Sequence, residues 1–217
     1  MKIGIVGGTG REGRGLAVRW AQAGHEVFIG SRDASRGEAK AAEFSEAFGT
    51  TLQGGDNEAA CNHGELIVVT VPYSAHGPTF AAIAPVVGDK IVVDITVPLQ
   101  PPKVRSVHLP EGQAAALEAR AALEEGARLV AALHHISSDH LSDPEHTFDC
   151  DVLVCGNDKE ARASVIEVIN DLGLRGVDAG VLRNAIALES LTPVLLHINR
   201  RYKSVGSGIR ITGIPES

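Results

Sequence analysis

Lys2-Ile3-Gly4-Ile5-Val6 followed by Gly7-Gly8-Thr9-Gly10-Arg11-Glu12-Gly13 is an apolar, β-branched run that passes without a linker into a G-x-G-x-x-G pattern. The glycine pattern alone carries little information, but its context gives it a physical meaning. When it follows a strand and opens a helix, the first glycine (Gly8) makes the tight turn. The second (Gly10) lets the backbone approach a pyrophosphate, and the third (Gly13) permits close helix–strand packing. The start of the helix then offers unpaired N–H groups and the positive end of its dipole to an anion. The residues that follow support the helix. Leu16 and Trp20, and Ala17 and Ala21, recur at i, i+4, Arg14 and Arg19 lie off that stripe, and Gly24 stands where the helix should stop.

Working outward, further short apolar runs span Glu26 to Ile29, Leu66 to Val71, Lys90 to Ile95 and Arg128 to Leu133, with helical stretches between them. Runs that are apolar almost throughout predict strands covered by helices on both faces, hence an α/β doubly wound parallel sheet. A second helix is expected to begin with a Ser35–Glu38 capping box, and a third to span Gln113 to Glu125 and end at Gly126. The segment from His134 to Cys150 is polar, which predicts a boundary dividing residues 1–148 from a small, mainly helical lobe of residues 149–217. That lobe should hold a strand at Asp151 to Gly156 and a helix capped by Asp158. A final apolar helix from about Asn184 to Tyr202 should be kinked or interrupted at Pro193.

Composition narrows the classes. The 217 residues carry 20 Lys plus Arg against 27 Asp plus Glu, a net charge of −7, which argues against a nucleic-acid binder. No run reaches the apolar length of a membrane span, and the start of the chain lacks the apolar region and cleavage site of a secretion signal. With three cysteines and no disulfide framework, the expectation is a cytoplasmic protein.

An NAD site would place an acid at the end of the second strand to take the ribose 2′-hydroxyl. Here Ser31 and Arg32 stand there, with Arg36 one turn further on: a hydroxyl and guanidinium groups, the donors a 2′-phosphate needs. Residues 1–36 hold six bases and three acids within an acidic chain, so the positive charge is local and NADP is the expected ligand. Thr70-Val71-Pro72 ends a strand on the edge where a nicotinamide would lie, and Leu133-His134-His135-Ile136 ends another. Hydride transfer between planar rings needs neither nucleophile nor metal, so a histidine there would orient the acceptor or stabilise its charge. His134, His135, His140 and His146 with the nearby acids lack the spacing of a metal site, and Ser137 and Ser138 lie in no nucleophile elbow.

Taken in order, KIGIVGGTGREGRGLA from Lys2, GSR at 30–32, TVP at 70–72, ALHHI at 132–136, DVLVCGND at 151–158, DAG at 178–180 and ESLTP at 189–193 resemble the F420-dependent NADP oxidoreductase family along nearly the whole chain. The resemblance implies a Rossmann-like domain with a small C-terminal lobe that often forms a homodimer. It also implies reversible hydride transfer between NADP and coenzyme F420, an 8-hydroxy-5-deazaflavin. By this likeness Gly8, Thr9, Gly10, Arg11 and Glu12 meet the pyrophosphate, Ser31, Arg32 and Arg36 the 2′-phosphate, and Val71 and Pro72 the nicotinamide side. His134, as catalytic residue, and Ile136 border the deazaflavin, and Ser207, Gly208 and Ile209 close the same pocket. Two positions depart from the family pattern: Glu12 is a carboxylate where an apolar or neutral residue is usual, and His135 replaces a small polar one. An NADPH-dependent reductase of another acceptor (flavin, ferric ion or imine) and a non-catalytic NADPH-binding redox sensor are the alternatives.

Overall fold

The computed structural model describes residues 1–214. The first strand, β1 (Lys2–Val6), leads through the glycine turn into α1 (Arg11–Gln22). β2 (Glu26–Ser31), α2 (Ala34–Phe48), β3 (Leu52–Asp56), α3 (Asn57–His63), β4 (Leu66–Val69), α4 (Tyr73–Val87) and β5 (Ile91–Asp94) follow. A long loop then reaches α5 (Ala115–Ala122), β6 (Arg128–Ala131) and α6 (Ser138–Ser142), and the chain continues with β7 (Asp151–Gly156), α7 (Lys159–Asn170), β8 (Arg175–Asp178) and α8 (Ala185–Tyr202). The eight strands form one sheet in the order β3-β2-β1-β4-β5-β6-β7-β8. Every neighbouring pair is parallel except β6 and β7, which run antiparallel.

The apolar runs work as expected of a sheet buried on both sides. Along β4, Leu66 and Val68 face a core shared with Leu16, Trp20 and Ile169, while Ile67 and Val69 face one shared with Phe80, Ile83 and Leu188. The sheet does not stop near residue 148: β7 continues it beside β6, and β8 forms its far edge. The two parts are also joined across the helical layer, where the buried Trp20 indole donates to the Val168 carbonyl in α7 at 2.7 Å.

Several local expectations differ from what is observed. The cap of α2 is Asp33, whose carboxylate accepts from the Arg36 amide at 3.2 Å and from the Ser35 hydroxyl at 2.7 Å, so Ser35 supports the cap instead of being it. Helix α5 is shorter than the Gln113–Glu125 run because polar side chains close both ends. The Glu189 carboxylate accepts from the Ala115 and Ala116 amides, and the Arg120 guanidinium takes the Leu123 and Ala127 carbonyls. Helix α8 runs unbroken through Pro193. Its buried residues on either side, Leu188 and Leu195, hold it against the sheet despite the one missing amide. The edge strands β3 (LQGGD) and β8 (RGVD) carry no apolar run that would have announced them.

Candidate functional site

The site grows from the C-terminal ends of the parallel strands, where the chain turns into helices. At the end of β1, Gly7 has φ +72° and donates its amide to the Asn57 side chain at 3.1 Å, and Gly8 donates to the Gly30 carbonyl at 2.9 Å, tying the turn to β2. A Cβ on Gly13 would stand 2.5 Å from the Gly8 Cα, so α1 crosses the turn at backbone contact. A Cβ on Gly10 would meet nothing within 4 Å. The two glycines therefore act differently: Gly13 lets the helix close on the strand, and Gly10 leaves its backbone bare beside an open space.

That space is part of a cavity of about 830 Å³, large enough for two planar ring systems. Gly10, Arg11, Glu12, Val71, Pro72, His134, Ile136 and Ser207 all line it. The structure thus brings together four segments that are distant in sequence. Gly8, Thr9, Ser31, Arg32, Arg36 and Gly208 lie outside its walls. Ser31 is buried at the end of β2, where its hydroxyl accepts from the Asp33 amide at 3.3 Å, while Arg32 and Arg36 are exposed. Arg32 makes no hydrogen bond or ion pair among the described residues. Gly208 packs instead against Cys150, whose Cβ would lie 2.5 Å from an added Cβ.

Pro72 precedes the first turn of α4, and Val71 is held from behind: the Thr96 hydroxyl donates to the Val71 carbonyl at 3.3 Å. Below this shoulder lies a buried pair that the sequence reading did not single out. His76 Nε2 sits 2.8 Å from Asp94 Oδ2, and the other carboxylate oxygen accepts from the Thr96 amide at 3.0 Å. Asp94 is fully buried. The one available signal was an acid ending the otherwise apolar Ile91-Val92-Val93 run.

On the opposite wall, Leu133 adopts φ +65°, a left-handed conformation that costs a branched residue energy, and it turns the chain at the end of β6. The next residue, His134, is buried, with both ring nitrogens lacking a partner among the described residues, while its carbonyl accepts from the Thr192 hydroxyl of α8 at 2.7 Å. Burial drives its pKa down to about 4, although the nearby Asp94 charge works the other way. The imidazole is therefore neutral near pH 7. His135 points elsewhere, with Nε2 2.9 Å from the Asp151 carbonyl, and burial lowers its pKa as well. Glu12 is exposed by surface area, yet desolvation at the crowded cleft mouth raises its carboxyl.

The tail completes the cavity. Val205, Gly206 and Ser207 line it, and the Ser207 amide donates to the Asn199 side chain at 2.8 Å. Farther along, Asp151 pairs with Arg175 through both oxygens and accepts from the Ile211 amide at 2.6 Å, fastening the tail beside β7. Ile209 donates no wall: its carbonyl accepts from the Asp151 amide at 2.8 Å. Among the described residues no group of three or more His, Cys, Asp or Glu side chains converges as a metal site. Burial pushes the thiols of Cys61 and Cys155 up to about 12.

Comparison with known proteins agrees with this geometry. Residues 2–98 match the family model described as NADP oxidoreductase, coenzyme F420-dependent. A protein of Methanothermobacter thermautotrophicus named F420-dependent NADP reductase is 39% identical over 100% of this chain and 97% of its own length. One of the same name from Methanothermobacter marburgensis is 36% identical over the full length of both. A solved structure from Arthrobacter sp. FB24, described as a candidate F420-dependent NADP reductase, superposes with a TM-score of 0.81 at 26% identity, covering 98% of this chain and 100% of that one. Strand order, glycine turn and full-length similarity coincide: the chain belongs to the F420-dependent NADP reductase family.

Proposed function

We propose that this protein transfers a hydride reversibly between NADP(H) and coenzyme F420. The observation that carries this reading is the single cavity that joins the bare N-terminus of α1, the Val71–Pro72 shoulder and the His134–Ile136 wall. The residues present fit the two cofactors: Gly10 leaves room for a diphosphate against helix amides, and Arg32, next in sequence to the buried Ser31, is an exposed cation with no partner among the described residues. The bound pair supplies the chemistry, a hydride passed from one ring to the other. The chain supplies placement.

In this reading Gly8, Thr9, Gly10, Arg11 and Glu12 surround the diphosphate, and Ser31, Arg32 and Arg36 select the 2′-phosphate. Val71 and Pro72, braced by Thr96, support the nicotinamide. His134 borders the acceptor with a neutral imidazole whose buried nitrogens have no hydrogen-bond partner among the described residues, and it is assigned as the catalytic group that orients the acceptor. Ile136 and Ser207 flank the acceptor, and Gly208 acts one step behind the wall by letting the tail approach Cys150. Leu195, Leu196 and Val205 contribute apolar surface that excludes water from the reacting rings.

Of the expected lobe at 149–217, whose last three residues lie outside the described ones, residues 149–214 would form the acceptor side and carry the contact between two copies of the chain, since Val194 and Tyr202 of α8 and the nearby Val107 and Leu109 loop are exposed. No helix among the described residues is long and apolar enough to cross a membrane, and both reactants are small soluble molecules, which supports a cytoplasmic location.

The test is the visible absorption of oxidised F420 on adding the protein with NADPH, with NADH as the parallel control. Bleaching with NADPH and little with NADH is the expected result. NADPH binding without bleaching would overturn the acceptor assignment.

A further inference from the structure

Arg11 is the first residue of α1 and lines the cavity beside Gly10, where an incoming diphosphate would meet the helix amides. Its guanidinium is already engaged: Nη1 pairs with Asp139 of α6, which packs beside α1 although 128 residues away in sequence. Asp139 lines the same cavity. Its position is not accidental to a floppy loop, because α6 is fastened to α1 at backbone level. A Cβ on Gly15 would stand 2.7 Å from the Leu141 carbonyl oxygen. The buried Arg19 guanidinium donates to the carbonyls of Leu141 at 3.1 Å, His140 at 3.2 Å and His146 at 3.0 Å. The Ser142 hydroxyl donates to the Arg11 carbonyl at 3.2 Å. The Asp139 carboxylate is thus presented to α1 by a rigid support.

We propose that Asp139 is a resident counter-ion that competes with the cofactor's diphosphate for Arg11 and so limits how tightly NADP(H) is held. The inference rests on the reading of the cleft as an NADP site. The two side chains are 63% and 52% exposed, so their attraction is screened by solvent and yields readily to a diphosphate. When Arg11 turns to the diphosphate, Asp139 loses its partner and faces an anion. Both effects weaken binding, and neither touches the reacting rings. Asp139 is accordingly an affinity-setting residue acting through Arg11: it favours release of spent cofactor over retention.

The experiment is a titration of NADPH by its nicotinamide fluorescence, without acceptor, into the intact protein and the Asp139→Asn, Arg11→Ala and doubly substituted forms. Asp139→Asn should tighten NADPH about two- to fivefold at low salt, and the gain should shrink as salt is added. In the Arg11→Ala background the same change should give less than half that gain. An unchanged or weaker affinity on Asp139→Asn would overturn the proposal, and so would an equal gain with and without Arg11. Asp139→Ser, which also removes the charge, must give the same sign if the carboxylate is the cause. Absence of NADPH binding in the unsubstituted protein would instead overturn the functional reading, so the two failures are distinguishable.

Discussion

Two turns at the same edge of the sheet are built on opposite principles. At the end of β1 the turn is made of missing side chains: Gly8 and Gly13 let helix and strand touch, and Gly10 leaves bare backbone. At the end of β6 the turn is made of buried polar ones: His134 with no partner for its ring, His135 on the Asp151 carbonyl, and Leu133 held at positive φ. Glycine can bind an anion through amides that any sequence possesses. Orienting an acceptor needs a particular side chain fixed by its surroundings, and burying it costs stability that packing elsewhere must supply. Where helix and strand touch, at Gly8 and Gly13, the first turn should therefore tolerate chemistry but not volume, and the second turn volume but not changes in polarity.

The largest expected effect is at the buried polar pair beneath the Val71–Pro72 shoulder. Asp94→Ala removes the partner of the buried His76 ring and of the Thr96 amide, and should cost about 3–5 kcal/mol in denaturant unfolding. A loss below about 1 kcal/mol would show that polarity is not what holds this region together. Next, Gly13→Ala places a methyl against the Gly8 backbone and should cost about 1–3 kcal/mol, read as a fall of several degrees in melting temperature.

A pH effect of intermediate size follows from His134. Its folded pKa of about 4 lies below the ordinary 6.5, so the folded state resists a proton that the unfolded chain accepts. The resulting stability is fully present above pH 6.5 and is lost as pH falls toward 4, by up to about 1.4 kcal/mol per unit. Urea unfolding at pH 7 and pH 5 should show a smaller drop for His134→Leu than for the unsubstituted protein. The smallest change in stability belongs to Gly10→Ala, whose methyl meets nothing but replaces a favoured N-cap residue: folding should lose about 0.5–1 kcal/mol while NADPH affinity falls. A normal affinity there would deny Gly10 its place at the diphosphate.

The same contrast explains what was legible in the sequence. Glycine spacing and strand-then-helix order are local, so the β1 turn, the crossover helix and the sheet between β2 and β6 could be read directly. The edge strands β3 and β8 were invisible because their residues, Leu-Gln-Gly-Gly-Asp and Arg-Gly-Val-Asp, need a neighbour's ladder to become strands. His134 was accessible through its place at a strand end. His76 was not, since only the fold brings helix α4 over Asp94. Gly208 and Asp139 show the limit from both sides. Gly208, expected in the wall, stands behind it, and Asp139 enters the cleft through a helix five residues long.

The central claim is that both rings meet in this one cleft. It is tested most directly by mass measurement of reduced F420 formed from NADPH carrying deuterium at both nicotinamide C4 positions. Direct transfer predicts one deuterium in the reduced deazaflavin. Reduced deazaflavin without deuterium would contradict the account, because the hydrogen would then have come from solvent and not from a nicotinamide stacked against its acceptor.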